Sequence, residues 1–182
     1  LFDFDGTLFR SPMPIKGWGH STKDWFDDPI SLSMPCVPKP TNGKWWISKT
    51  VSAAKKAISD PNAHAILCTG RHATAGLKKA LNRLLKDAGL KFDEEFLKPS
   101  GNTQPYKIKV LEKMLRKYPT ITVVHIWEDN LPNLAAYKKH IEKMGLECVA
   151  HPVTEKDMEP ICSLEEAEAA WAGGDPDFKR EA

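Results

Sequence analysis

The sequence predicts an α/β fold: a parallel sheet with helices on both faces, carrying a small irregular Trp-rich insertion. Three observations predict it. Apolar, β-branched stretches alternate with stretches of helical spacing between residues 48 and 152, the pattern of parallel strands joined through helices. Polar residues cluster where three predicted strands end, at Asp3 to Thr7, Thr69 to Arg71 and Glu128 to Asn130. In sheets of this kind ligands bind beyond the carboxyl ends of the strands, so these clusters are expected to meet in one crevice. Finally, 182 residues with 41% hydrophobic and 27% charged side chains suffice for one substantial core.

The elements follow in order. The opening LFDFD is a short apolar strand that ends in carboxylates. Residues 10–46 hold many Pro, Ser, Gly and Trp residues and little periodicity, so they read as an irregular insertion ordered by its aromatics. SKTVSAAKKAIS is a helix stopped by Asp60-Pro61-Asn62. AHAILCTG is a buried strand, and the helix after it, HATAGLKKALNRLLKDAG, closes on Gly89. EEFLKPSG gives a short strand and a loop, and YKIKVLEKMLRKY a helix halted by Pro119. TITVVHIWEDN, LPNLAAYKKHIEKMG and LECVAHPV read as strand, helix and strand. SLEEAEAAWAG is a last helix with Ser163 and Glu166 as a capping box, and GDPDFKREA is expected to fray. Residues 1–160 are thus expected to form the core and 161–182 a C-terminal helix and tail.

The net charge of +2 does not by itself mark a nucleic-acid binder. Cys36, Cys68, Cys148 and Cys162 are widely spaced and form no CxxC pair, which fits reduced thiols in a cytoplasmic or nuclear protein better than a zinc site. No apolar run approaches the roughly 20 residues that span a bilayer. Only two residues precede Asp3, so the first strand reads as cut short and an N-terminal extension is expected.

Asp3 and Asp5 pose the chemical question. Side chains two apart on a strand share a face, and two carboxylates there repel each other and lose hydration. A divalent cation that prefers oxygen ligands would compensate them.

Four stretches together resemble the ordered motifs of the haloacid-dehalogenase (HAD) superfamily: DFDGTL at 3–8, LCTGR at 67–71, Lys107 in TQPYKIKVL, and IWEDN at 126–130. More narrowly, LFDFDGTLFRSPMP followed by Trp18, Trp25 and Trp45-Trp46 is similar to the Swiss-army-knife RNA repair-like HAD domain. The resemblance implies a Rossmann-like core and phosphatase chemistry. Asp3 would be the nucleophile that becomes an aspartyl phosphate, and Asp5 the general acid and later base. Mg²⁺ would be held by Asp3, the Asp5 carbonyl and Asp129. Thr69 and Lys107 would stabilise the transferring phosphoryl group, with Lys109 the competing lysine. Thr7, Gly70 and Arg71 would contact substrate, Arg71 as a fork for a second phosphate. Glu128 would orient a metal-bound water, beside Asn130, which stands where the motif places Arg.

Without a large cap the crevice should stay open and admit a macromolecular end, so the expected substrate is the terminal phosphate of an RNA or DNA strand. The alternatives are a phosphatase of nucleotides or other small phosphates, and a non-catalytic phosphate- or RNA-binding module. Trp18, Trp25, Trp45 and Trp46 are either a small core that pins the insertion or platforms on which bases stack. His72 is expected to begin a helix, and His64, His125 and His151 to be structural.

Overall fold

The computed structural model describes residues 1–173. The expected GDPDFKREA tail lies outside the described residues. Four strands, β1 (Ile66–His72), β2 (Glu94–Lys98), β3 (Val123–Glu128) and β4 (Glu147–Pro152), pair in parallel as β1 with β2 and β3 with β4. Residues 1–3 run between the two pairs. Phe2 bridges both Leu67 and Trp127 in parallel, donating to the Ile66 carbonyl at 2.8 Å, while the Asp3 amide donates to the Trp127 carbonyl at 3.1 Å. The spatial order is therefore β2, β1, residues 1–3, β3, β4, which puts the opening segment at the centre.

Period-two alternation sorts the core to the two faces. Phe2 and Leu67 pack with Ala54 of α2 (Ser48–Ser59) and with Leu77, Leu81 and Leu84 of α3 (Ala75–Asp87). Ile66 and Cys68 point the other way, onto Val110 and Met114 of α4 (Thr103–Lys117). Ile126 packs on Leu111, Leu134 and Tyr137, the last two from α5 (Leu131–Lys143). Burial on both faces explains why β1 reads as a continuous apolar run rather than an alternating one.

Local chemistry sets the helix ends. Thr74 caps α3 through the Leu77 amide, and Gly89 at φ +67° takes the left-handed turn that ends it. α4 starts earlier than its apolar spacing suggests, because Pro105 is tolerated in a first turn. His72 differs from expectation: it is the last residue of β1, and its Nε2 lies 3.5 Å from Asp27.

The insertion is more ordered than its composition suggests. It contains α1 (Thr22–Asp27) behind a Ser21–Asp24 capping box, and two 3₁₀ turns at Pro29–Leu32 and Gly43–Trp45. Trp45 and Trp46 are buried in the main core, stacked or edge-on against Phe9. Trp25 is buried in a satellite core with Ile15, Ile30 and Cys36, against which Trp18 and Leu164 pack. These rings pin the insertion, and a buried ring offers no face to a base, so the stacking-platform alternative fails for Trp25, Trp45 and Trp46. α6 (Leu164–Ala172) joins the satellite core through Ala167, and the Cys36 and Cys162 sulfurs meet at 2.8 Å. The C-terminal helix thus packs on the insertion, a pairing that no sequence spacing announced. Among the described residues no helix is long and apolar enough to cross a membrane.

Candidate active site

The three polar clusters do converge. A crevice of about 450 Å³ at the carboxyl ends of the strands is lined by Asp3, Asp5, Gly70, Arg71, Lys107, Glu128, Asp129 and Asn130, among others.

Asp3 ends the central strand segment and is 7% exposed. Lys107, on α4 and 1% exposed, places Nζ at 2.8 Å from both Asp3 Oδ1 and Glu128 Oε2. Helical spacing puts Lys107 on the buried face of α4, with Val110, Leu111 and Met114, and leaves Lys109 exposed. That settles which of the two lysines reaches the crevice. Glu128, the last residue of β3, also accepts from the Asn130 amide at 3.1 Å, while the Asn130 side chain caps α5 through the Asn133 amide.

Carboxylate oxygens of Asp3, Glu128 and Asp129 all lie within 4.8 Å of one another. Three carboxylates thus face one ammonium, and the electrostatics show the strain. Burial, and then the Glu128 charge, push the Asp3 carboxyl up to about 6 against the pull of Lys107. Burial, the charge on Asp3 and the nearness of Glu128 push Asp129 up to about 9. Burial opposes ionisation of Glu128 too, but Lys107 and the Asn130 amide outweigh it and hold this carboxyl below its usual range. Burial disfavours the Lys107 ammonium, yet Asp3 and Glu128 carry its titration upward. The charge deficit and the all-oxygen donor set fit a hard divalent cation. Gly6 lets Asp129 approach: its φ is +67°, and a Cβ there would lie 2.5 Å from Asp129 Oδ2.

Asp5 has a different partner. Strand pairing stops at Asp3, the chain bends at Phe4, and the Asp5 carboxylate, on the same crevice as Asp3, pairs with Arg71. Arg71 Nε lies 3.0 Å from both Asp5 oxygens and Nη2 2.7 Å from Oδ1, which also accepts from Ser11 Oγ. Arg71 Nη1 donates at 2.7 Å to the Phe26 carbonyl and to Ser31 Oγ. The Arg71 side chain is buried. It is engaged by Asp5 and the insertion, and so is not available as the expected fork for a second substrate phosphate.

Thr7 and Thr69 are fully buried behind the crevice wall. Thr7 Oγ1 donates to Asp129 at 3.5 Å, and Thr69 Oγ1 accepts from the Arg71 amide at 3.2 Å. Gly70 lines the crevice, where a Cβ would lie 2.6 Å from Thr103 Oγ1. Sequence reasoning missed Lys23, Phe26 and Asp27 of α1, and Lys98, Asn102 and Thr103, all of which line the crevice. The Pro- and Ser-rich insertion gave no register for α1. The position of Lys98 at the end of β2 was the available signal for the other three.

Comparison with known proteins matches residues 16–163 to a family described as HAD domain family 1 in Swiss Army Knife RNA repair proteins. The matched stretch covers β1 to β4 and begins after the Asp3–Asp5 segment. An uncharacterized protein of Saccharomyces cerevisiae is 24% identical over 180 residues, covering 80% of this chain and 37% of that protein. The tetraacyldisaccharide 4'-kinase of Hyphomonas neptunium is 29% identical over 105 residues, covering 58% of this chain and 29% of that enzyme. The chain therefore spans well under half the length of these curated relatives. A parallel sheet with polar strand ends gathered at one crevice, and a family match over most of its length, place this chain in HAD domain family 1 of the Swiss Army Knife RNA repair proteins.

Proposed function

We propose that this protein is a Mg²⁺-dependent phosphatase that works through an aspartyl phosphate on Asp3, and that its substrate is the terminal phosphate of a polynucleotide, RNA in the first instance. Membership of the HAD family implies phosphohydrolase-type chemistry. The observation that carries the finer reading is the pair of separately held carboxylates: Asp3 on Lys107 at 2.8 Å, and Asp5 on Arg71 at 2.7 Å.

The two carboxylates do different jobs because they have different partners. Asp3 presents an oxygen to phosphorus while Lys107 holds the other in place and balances the charge spreading over the phosphoryl oxygens. Asp5 gives a proton to the leaving oxygen, then takes one from the water that attacks the aspartyl phosphate and returns free phosphate and Asp3. Asp5 Oδ1 accepts from Ser11 and Arg71, whereas Oδ2 accepts from Arg71 Nε, so Oδ2 is the less engaged oxygen and the one to face the leaving group. Arg71 is thus a positioning residue for Asp5, and through Phe26 and Ser31 it ties that position to the insertion. Asp3, Asp129 and the Asp5 carbonyl would hold Mg²⁺, with Glu128 beside them, and when bound the ion supplies charge neutralisation at the phosphoryl oxygens. Among the described residues only α1 of the insertion adds to the crevice lining from outside the core elements, with no cap domain over it, which favours a strand end over a small metabolite.

The direct test is phosphate release from nitrophenyl phosphate and from 3′- and 5′-phosphorylated oligonucleotides, with Mg²⁺ and with EDTA. Metal-dependent release with a preference for an oligonucleotide end is expected. Release from the aryl phosphate alone would leave the small-molecule alternative, and no release from a folded, metal-bound protein the binding-module alternative.

Leaving-group dependence isolates Asp5. Asp5→Asn is expected to lower kcat about 10²- to 10⁴-fold on an alkyl phosphate. The loss should be much smaller on nitrophenyl phosphate, whose phenolate departs without a proton. Equal losses on both contradict the general-acid role.

Metal binding has a pH signature. Asp3 at about 6 and Asp129 at about 9 lie above the ordinary carboxylate value of 3.8, so the metal-free native state holds protons that the unfolded chain has released. These sites therefore make the metal-free protein less stable as pH rises from about 4 toward 9. A bound cation displaces the protons, so the Tm gain from Mg²⁺ in a thermal melt should be larger near pH 8 than near pH 5. A gain that does not grow with pH contradicts the placement of the ion.

A further inference from the structure

Among the cations lining the crevice, Lys107 is paired with Asp3 and Glu128, Arg71 with Asp5, and Lys23 is exposed. Lys98 is different. It is 4% exposed, and among the described residues its Nζ has no carboxylate within ion-pair distance; its partner is Thr103 Oγ1 at 3.4 Å. An ammonium on the crevice wall with no carboxylate beside it is free to make a charge-assisted contact with an anion that enters. The fold holds Lys98 firmly: it closes β2 opposite His72, and its carbonyl accepts from the Ala73 amide at 2.9 Å.

The surroundings suit an anion. Thr103 Oγ1 accepts from Lys98, which leaves its proton to donate into the crevice. Thr103 opens α4, and the Asn102 side chain makes no capping bond there, so the Thr103 and Gln104 amides, the two that this first turn has before Pro105, are not taken by that cap. Gly70 lies against the same hydroxyl, keeping the wall clear of a Cβ. Sheet order fixes the distance scale. β2 is two strands away from residues 1–3, about 10 Å across the sheet. That is too far for one phosphoryl group to touch both Asp3 and the backbone of Lys98. The next phosphate of a nucleic-acid strand lies nearer to the first than that, on the side of the crevice that the Lys98 side chain lines.

We infer that Lys98 and Thr103 form a second phosphate subsite, which takes the internucleotide phosphodiester next to the terminal phosphate held at Asp3. The inference rests on the reading of the protein as a phosphatase of polynucleotide ends, and it names the part of the site that selects them. The role first assigned to Arg71 passes to Lys98, because Arg71 is consumed by Asp5.

The experiment compares wild type, Lys98→Met and Lys98→Arg on nitrophenyl phosphate and on a dinucleotide with one terminal phosphate and one internal phosphodiester. A dinucleoside monophosphate, with an internal phosphodiester and no terminal phosphate, serves as a non-reacting competitor. Expected for Lys98→Met is a drop of about tenfold in the ratio of kcat/KM for dinucleotide over aryl phosphate, carried by KM, since one charge-assisted contact is lost. The competitor should lose affinity by a similar factor, and Lys98→Arg should recover most of both. A fall by the same factor on both substrates overturns the subsite, since Lys98 would then act on the reacting phosphoryl group. So does an unchanged ratio in a variant that melts like wild type. Failure of the underlying reading looks different: wild type itself then takes the aryl phosphate and refuses the dinucleotide.

Discussion

Asp3→Asn is expected to leave a folded protein whose phosphate release falls by about 10⁴-fold or more, on aryl and oligonucleotide substrates alike. The magnitude is that of removing a nucleophile, where the residual rate comes from binding and electrostatic stabilisation alone. The amide is nearly isosteric, and it relieves part of the crowding with Glu128 that pushes Asp3 upward. The Tm of the metal-free variant should therefore equal or exceed that of wild type while activity disappears. Phosphate-release kinetics and a thermal melt on the same preparation check both halves. An active Asp3→Asn protein contradicts the nucleophile. An inactive variant with a collapsed Tm would mean that Asp3 is needed for folding, and Asp3→Ser would then be the variant to use.

Lys107→Met is expected to carry the largest stability cost of any single change at the crevice. Its ammonium is 2.8 Å from two carboxylates and almost wholly buried, so removing it leaves Asp3 and Glu128 desolvated and unpaired. Breaking a buried pair from one side costs about 3–5 kcal/mol. For a domain of this size that is a Tm loss on the order of 10 °C. Mg²⁺ should return part of it, because the cation supplies the missing charge to the same carboxylates. Lys109→Met, at an exposed position two residues on, should change stability by no more than about 0.5 kcal/mol. Melts of the two variants with and without Mg²⁺ measure this, and equal losses from Lys107 and Lys109 contradict the buried hub.

The sheet was legible because its strands carry their own signals. The unbroken burial of Ile66 to Thr69 and the β-branched Thr120 to Val124 stretch leading into β3 are written in residue type, and the polar residues at their ends mark the crevice. Asp3, Glu128 and Asp129 were findable for the same reason. Lys107 was preferred to Lys109 through the resemblance to ordered motifs, and the helix phase that buries it with Val110 and Leu111 explains why it reaches the crevice. What stayed hidden depends on contacts between distant segments. Asp5 and Arg71 are far apart in sequence, as are Arg71 and Ser31, and Cys36 and Cys162. No local pattern encodes those meetings. The tryptophans left two readings open for another reason: Trp25, Trp45 and Trp46 are residues that serve for burial and for stacking on bases alike, and the packing against Phe9 and Ile30 decides for the pinning core. Lys98 is the sharpest case, since a lysine at a strand end is ordinarily solvated, and its burial arises where β2, β1 and the start of α4 meet.

The most direct measurement of the central claim is a borohydride trap during turnover. An acyl phosphate is reduced to an alcohol where a free carboxylate is not, so peptide mass spectrometry of the quenched enzyme reports which aspartate held the phosphoryl group. The account predicts homoserine in place of Asp3, formed only with substrate and Mg²⁺ together and enriched in Asp5→Asn with an aryl phosphate, where breakdown of the intermediate is slowed. Phosphate release with Asp3 unreduced, or reduction at another carboxylate, would contradict it.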